Sequence, residues 1–421
     1  MRLIKTSSRS SVAVIESLLR RGNQSLDSVQ PTAKRIIANV RKRGDSALLR
    51  YARRFDKLAA KASVRVEVEE TASAWDAIDP ELKRALERAT KQIRAYAECQ
   101  SPKSWMSAPA PGLKTGQLVR PIDAVACYVP GGRHPLPSTM LMTAIPAQVA
   151  GVPRIAVFSP NPAAETLATA HLLGITEIYR MGGAHAIAAA AYGTESIAPV
   201  SKIVGPGNLY VTAAKRIVAQ ERGPGSIDML AGPTETVVTS EEGEATSIAA
   251  DLIAQAEHDP ATLSIFLTTQ EQLARTVMSA VKEKSKANAT AKEALKYNGY
   301  AIVCRTVEET RALTNAIAPE HLTVDSAADL EWVQNAGSVF IGKYSPQPMG
   351  DYISGPNHTL PTGGTARFRG GLSVNDFVKL ITVQEYTQQG LKRFGEDAIK
   401  LAEAEGLVGH AAAIRACMTA E

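Results

Sequence analysis

The sequence predicts an α/β protein built on two parallel-sheet modules, and three features carry that prediction. From about residue 123 short apolar runs alternate with helical stretches, the same alternation restarts near residue 236, and Gly-rich turns follow several of the runs. Short strands separated by helical segments imply parallel pairing, because antiparallel neighbours need only a tight turn whereas parallel ones need a long crossover. The modules read as incomplete Rossmann folds. Their succession suggests duplication, although no residue-level repeat accompanies it.

Taken in order, the first hundred residues read as helices: 12–21 closing at Gly22, 31–43, another after Asp45, and 80–99. In the last, Leu82, Ala85, Leu86, Ala89, Ile93 and Tyr96 recur at three- and four-residue steps and make one apolar stripe. The first module has strands predicted at 124–129, 155–158, 177–180 and 202–204, with helices starting near Ser138, Ala163, Ala184 and Asn208. The second has strands at 236–239, 263–267, 300–304, 322–324 and 338–341. The tail returns to helix at 376–383 and at 397–417, broken near Gly406. The expected division is an N-terminal helical segment 1–23, a discontinuous α/β domain of 24–125 and 235–372, a second α/β domain 126–234, and a C-terminal helical arm 373–421. Such an arm packs on a partner subunit or a neighbouring domain.

Composition excludes several classes. Of 421 residues, 45% are hydrophobic and 21% charged, as in ordinary globular proteins. The net charge of +5 is dispersed and does not suit nucleic acid. Cys99, Cys127, Cys304 and Cys417 lie far apart with no C-x-x-C spacing, so a reducing, cytoplasmic setting is expected and any metal needs other ligands. The longest apolar stretch, around 139–152, is interrupted by Pro146 and is too short for a membrane span of about 20 residues.

Several stretches carry chemistry. Gln255 and His258 lie one turn apart at the end of a helix expected over 244–258, stopped by Pro260. They suit either a shared metal or, for His258, the helix dipole and its last carbonyls. Glu320-His321 stands at the start of a strand and offers an acid and a base of different intrinsic pKa, or a solvated loop pair. The stretch 349–364 is dense in Gly and Pro, whose turns free Asp351 and His358 to face one target. No G-x-G-x-x-G is present. The nearest is Gly-Pro-Gly-Asn-Leu-Tyr at 205–210, and with Tyr-Val-Pro-Gly-Gly at 128–132 and Gly-Gly-Ala-His at 182–185 it puts three small-residue turns at strand ends, where open α/β sheets bind ligands.

In order along the chain, Tyr-Val-Pro-Gly-Gly, Lys-Ile-Val-Gly-Pro-Gly-Asn (202–208), Asp-Met-Leu-Ala-Gly-Pro-Thr-Glu (228–235), Gln-Ala-Glu-His (255–258), Ala-Pro-Glu-His-Leu (318–322), Ser-Gly-Pro-Asn-His (354–358) and Glu-Gly-Leu-Val-Gly-His (405–410) resemble the motifs of histidinol dehydrogenase. The resemblance runs from about residue 5 to the C-terminus. It implies oxidation of L-histidinol through L-histidinaldehyde to L-histidine, the last steps of histidine biosynthesis, with two NAD reduced and one zinc per subunit. It implies Gln255, His258, Asp351 and His410 as zinc ligands and Glu320 and His321 as the acid–base pair. It also implies Thr234, Gln255, His258, His321, Asp351, His358, Glu405 and His410 around the substrate, and Tyr128, His185 and Asn208 at the cofactor. Glu405 and His410 are expected to reach the site of the other subunit of a homodimer. Two positions depart from the family's habit: Thr234 replaces Ser, and His185 replaces Gln. The alternatives are a related zinc- and NAD-dependent dehydrogenase of another primary alcohol, such as a sulfonated diol, a zinc amidohydrolase with Glu320 as water base, and a catalytically silent nucleotide-binding protein.

Overall fold

A computed structural model describes residues 1–21, 26–131 and 135–419; Gly22 and Gly132, named above as a helix stop and as part of a turn, lie outside them. The chain begins with β1 (Arg2–Lys5), α1 (Val12–Arg20), α2 (Gln30–Phe55), α3 (Val68–Ala77), α4 (Pro80–Gln100), β2 (Trp105–Ala110) and β3 (Leu113–Pro121). The first alternating set is β4 (Ala124–Tyr128), α5 (Pro137–Val149), β5 (Arg154–Phe158), α6 (Ala164–Leu172), β6 (Glu177–Tyr179), α7 (Gly183–Tyr192), β7 (Lys202–Val204) and α8 (Leu209–Arg222). The second is β8 (Glu235–Thr239), α9 (Ala245–Ala256), β9 (Leu263–Thr268), α10 (Glu271–Lys284), α11 (Ala289–Asn298), β10 (Gly299–Val303), α12 (Val307–Ile317), β11 (His321–Val324), β12 (Ser338–Ile341) and α13 (Gln347–Tyr352). The tail holds β13 (Val378–Tyr386), α14 (Gln388–Ala404) and α15 (Val408–Thr419).

Two parallel sheets result, as expected, with strand orders β6-β5-β4-β7 and β1-β10-β9-β8-β11-β12. Their central strands are buried along their whole length, which is why Glu-Thr-Val-Val-Thr and Leu-Ser-Ile-Phe-Leu-Thr read as continuous rather than alternating runs. No helix of the described residues is long and apolar enough to cross a membrane.

Three expectations are corrected, for residues 2–5, for residues 376–383 and for the end of α9. Residues 2–5 form not a helix but edge strand β1, paired in parallel with β10; four residues are too few to show a period. Among the helices of 24–125, α2 packs on α7 and α8, α3 on α6 and α4 on α5, so they cover the four-stranded sheet. Residues 376–383 lie mainly in a strand, since β13 pairs antiparallel with β3 from Val378 to Tyr386 in a third, three-stranded sheet β13-β3-β2. Its partners stand 257 to 273 residues earlier in the chain, Val378 opposite Pro121 and Tyr386 opposite Leu113, a pairing that local periodicity does not encode. Finally, α9 ends at Ala256, so His258 stands just beyond the helix, its backbone N–H donating to Gln255 O at 3.3 Å.

Candidate active site

The carboxyl ends of the four-stranded sheet face the amino ends of the six-stranded one. After β4 come Val129, Pro130 and Gly131, and after β7 come Gly205, Pro206 and Gly207; Thr234 precedes β8, and His321 opens β11. These turns are walls common to two cavities. Gly205 has to be glycine: its φ is +104° and a Cβ would sit 2.2 Å from the Tyr128 carbonyl oxygen. The turn is also fastened from below by the buried pair Lys215–Asp228. Lys215 Nζ donates to Gly205 O at 2.9 Å, while Asp228 accepts the Gly205 N–H at 2.7 Å and the Met229 N–H at 2.6 Å.

The first cavity, about 340 Å³, gathers Thr234, Gln255, His258, Glu320, His321, Asp351 and His358. Seven residues predicted for one site from four separate stretches therefore meet in one cleft. Glu320 is 7% exposed and accepts the Glu235 N–H at 3.0 Å. Burial pushes its carboxyl up to about 8, against the pull of His321 and that hydrogen bond. His321 is 3% exposed, with Nδ1 3.9 Å from Glu320 Oε2 and Nε2 3.4 Å from Asp351 Oδ1; neither ring nitrogen has a well-aligned partner among the described residues. Burial lowers the affinity of its ring for a proton, but Asp351 and Glu320 outweigh burial and raise it. Asp351 shows the converse balance, burial being overcome by His321 so that it stays below the usual carboxylate range.

Asp351 sits on α13 rather than in a turn, and its backbone carbonyl lies 2.8 Å from His358 Nδ1. Its Oδ2 accepts Gln255 Nε2–H at 3.2 Å. That leaves Gln255 Oε1 buried without a partner among the described residues. A partnerless amide oxygen beside a carboxylate and the His258 imidazole fits a borderline dication with N and O ligands. Among the described residues no three His, Cys, Asp or Glu side chains are grouped to hold a metal. Such a set here contains a glutamine and lacks its fourth member, for His410 is exposed on α15 and, like Glu405, does not line the cleft.

The second cavity, about 730 Å³, is lined by Tyr128, His185 and Asn208, the three residues expected at the cofactor, together with Tyr51, Phe55 and Asp56. Tyr128 accepts the Gly183 N–H at 3.1 Å, and burial pushes its hydroxyl up to about 12, so it stays protonated. His185 is paired through Nε2 with Asp56 Oδ2 at 2.7 Å. Asn208 caps α8 by accepting the Tyr210 and Val211 N–H groups. The sequence reading missed Asp56, as well as Thr139 beside His358 at 3.4 Å and Arg21, which grips Glu235 behind Glu320 at 2.7 Å. Arg-Arg-Phe-Asp-Lys at 53–57 offers no motif that would have flagged Asp56.

A buried acid–base pair in one cavity and an aromatic-walled cavity across the same glycine turns give this α/β protein two adjoining pockets of small-molecule size. The sequence profile described as histidinol dehydrogenase matches residues 19–418, and the chain belongs to that family. It is 46% identical over 391 residues to the histidinol dehydrogenase of Geobacillus kaustophilus, covering 90% of this chain and 91% of that one. With that of Methanothermobacter thermautotrophicus it shares 44% over 414 residues, 95% and 96% of the two chains. The crystal structure of histidinol dehydrogenase from Elizabethkingia anophelis superposes with a TM-score of 0.92 at 35% identity, over 99% of this chain and 97% of that one.

Proposed function

We propose that this enzyme, which converts histidinol to histidine in histidine biosynthesis, does so in the Glu320–His321 cleft and draws its oxidant from the cavity of Tyr128, His185 and Asn208. What carries the reading is the convergence of Glu320, His321, Asp351 and a partnerless Gln255 Oε1 in one buried cleft. Tyr128, His185 and Asn208 would hold NAD in the second cavity, where it would supply the hydride acceptor for both oxidations. Gln255, His258 and Asp351, with His410 from a second copy, would hold zinc, which would supply a fixed positive centre for orienting the substrate.

The side chains supply the proton transfers. His321 takes the hydroxyl proton of the alcohol as its carbon loses hydride, and repeats this on the aldehyde hydrate. Glu320, once ionised, removes a proton from the water that adds to the aldehyde. His358 and Thr234 contact the substrate at the cleft wall. The aldehyde is oxidised as its hydrate and not as a thiohemiacetal: among the described residues no cysteine lines the cleft, and burial pushes Cys127 and Cys304 up to about 12 and about 11.

Glu405 and His410 complete the site from the arm of a second copy, which makes the working unit a homodimer. In support, the arm is exposed along Leu401, Leu407 and Val408, apolar surface that a partner would cover. The four cysteines are free, which suits a reducing cytoplasm. The test is the ratio of NADH formed to L-histidinol consumed, before and after chelation. Two NADH per histidinol, lost on chelation and restored by zinc, is expected; one NADH, with aldehyde released, would overturn the two-step assignment.

A further inference from the structure

Two residues that do not line the cleft hold its contents from behind. Gln347 opens α13 and is fully buried. Its Oε1 accepts from Thr236 Oγ1 at 2.7 Å and its Nε2 donates to Thr323 Oγ1 at 3.0 Å. Thr236 lies opposite His321 in the β8–β11 register, and Thr323 follows His321 by two. All three therefore stand on the same face of the sheet. The backbone N–H of Gln347 donates to Asp251 Oδ1 at 3.2 Å, and Asp251 sits one turn before Gln255 on α9.

Gln347 thus ties α13 to β8, β11 and α9 at once, and one turn further along α13 comes Asp351. A helix of six residues does not set its own direction, so these anchors do. Asp351 is the piece whose aim matters, since it meets His321 at 3.4 Å and Gln255 at 3.2 Å with its two oxygens.

We propose that Gln347, seated on Asp251, is a positioning residue that makes Asp351, Gln255 and His321 converge, and so sets how tightly the cleft holds zinc and histidinol. This rests on the ligand assignment proposed above. Partners behind metal ligands commonly govern about 10- to 100-fold in metal affinity. Gln347→Leu keeps the volume and removes both side-chain hydrogen bonds.

In that variant the dissociation constant for zinc, measured by competition with a chromophoric chelator, is expected to rise about tenfold or more. The KM for histidinol should rise with it, while the KM for NAD stays within about twofold. Gln347→Glu, which still accepts from Thr236, should recover most of the loss. Zinc and histidinol constants near wild type in folded Gln347→Leu would overturn the proposal, as would an equal rise for NAD, the mark of general loosening. Should Gln347→Leu fail to fold, Asp251→Ala and Asp251→Asn decide: only Asn keeps an oxygen for the Gln347 N–H, and equal effects would overturn the role. His258→Ala is the control. If it leaves zinc affinity unchanged, the ligand assignment fails; if it weakens zinc and Gln347→Leu does not, the positioning role fails alone.

Discussion

Replacing Glu320 by Gln should remove a loss of stability that the metal-free protein suffers as the pH rises. Glu320 ionises near 4.5 in an unfolded chain and at about 8 in its buried place. Between those values the unfolded chain has released a proton that the native protein keeps, so raising the pH favours unfolding. The cost starts near pH 4.5 and is fully developed above about 8. Each pH unit between the two values is worth about 1.4 kcal/mol, which sets a ceiling of about 5 kcal/mol. Gln keeps an oxygen for the Glu235 N–H and cannot ionise. Denaturant unfolding of both proteins at pH 5, 7 and 9 should therefore show the variant gaining on wild type at each step. A stability difference that stays constant from pH 5 to 9 would mean that Glu320 is an ordinary carboxylate, and its role as a base reserved for higher pH would fall with it.

Three further outcomes are expected. His321→Asn should keep the fold and bound zinc while lowering turnover of histidinol by about 10²- to 10⁴-fold, and near-normal turnover would remove His321 as the base. Lys215→Met leaves Asp228 buried without its cation and should cost about 3–5 kcal/mol in denaturant unfolding, partly recovered by adding Asp228→Asn. If the single variant proves as stable as wild type, the pair is not what holds the Gly205 turn. Deleting residues after about 400 should lower zinc content and rate together, since α15 carries His410; a truncated protein with full zinc and full rate would show that the arm supplies no ligand.

How much was legible beforehand can be judged from particular elements. Strands 202–204 and 338–341 were placed to the residue, because short β-branched runs between Gly-rich turns and helices carry their own boundaries. The seven cleft residues were named because they lie in compact motifs. Residues 376–383 read as helix, although strand β13 occupies Val378–Tyr386, because its pairing with β3 is made by tertiary contact alone.

By itself the sequence determined the alternation of strands and helices, the chemistry available at Glu320, His321, Gln255, His258 and Asp351, and the family, since these depend on residue type and local order. Only the tertiary structure decided that helices α2 to α4 cover the four-stranded sheet, that Asp56 meets His185, and that Gln347 anchors the helix bearing Asp351. It also decided that burial moves Glu320 to about 8. The physical reason is common to all four: packing partners and desolvation depend on which surfaces meet across long sequence distances, and local pattern carries no record of that.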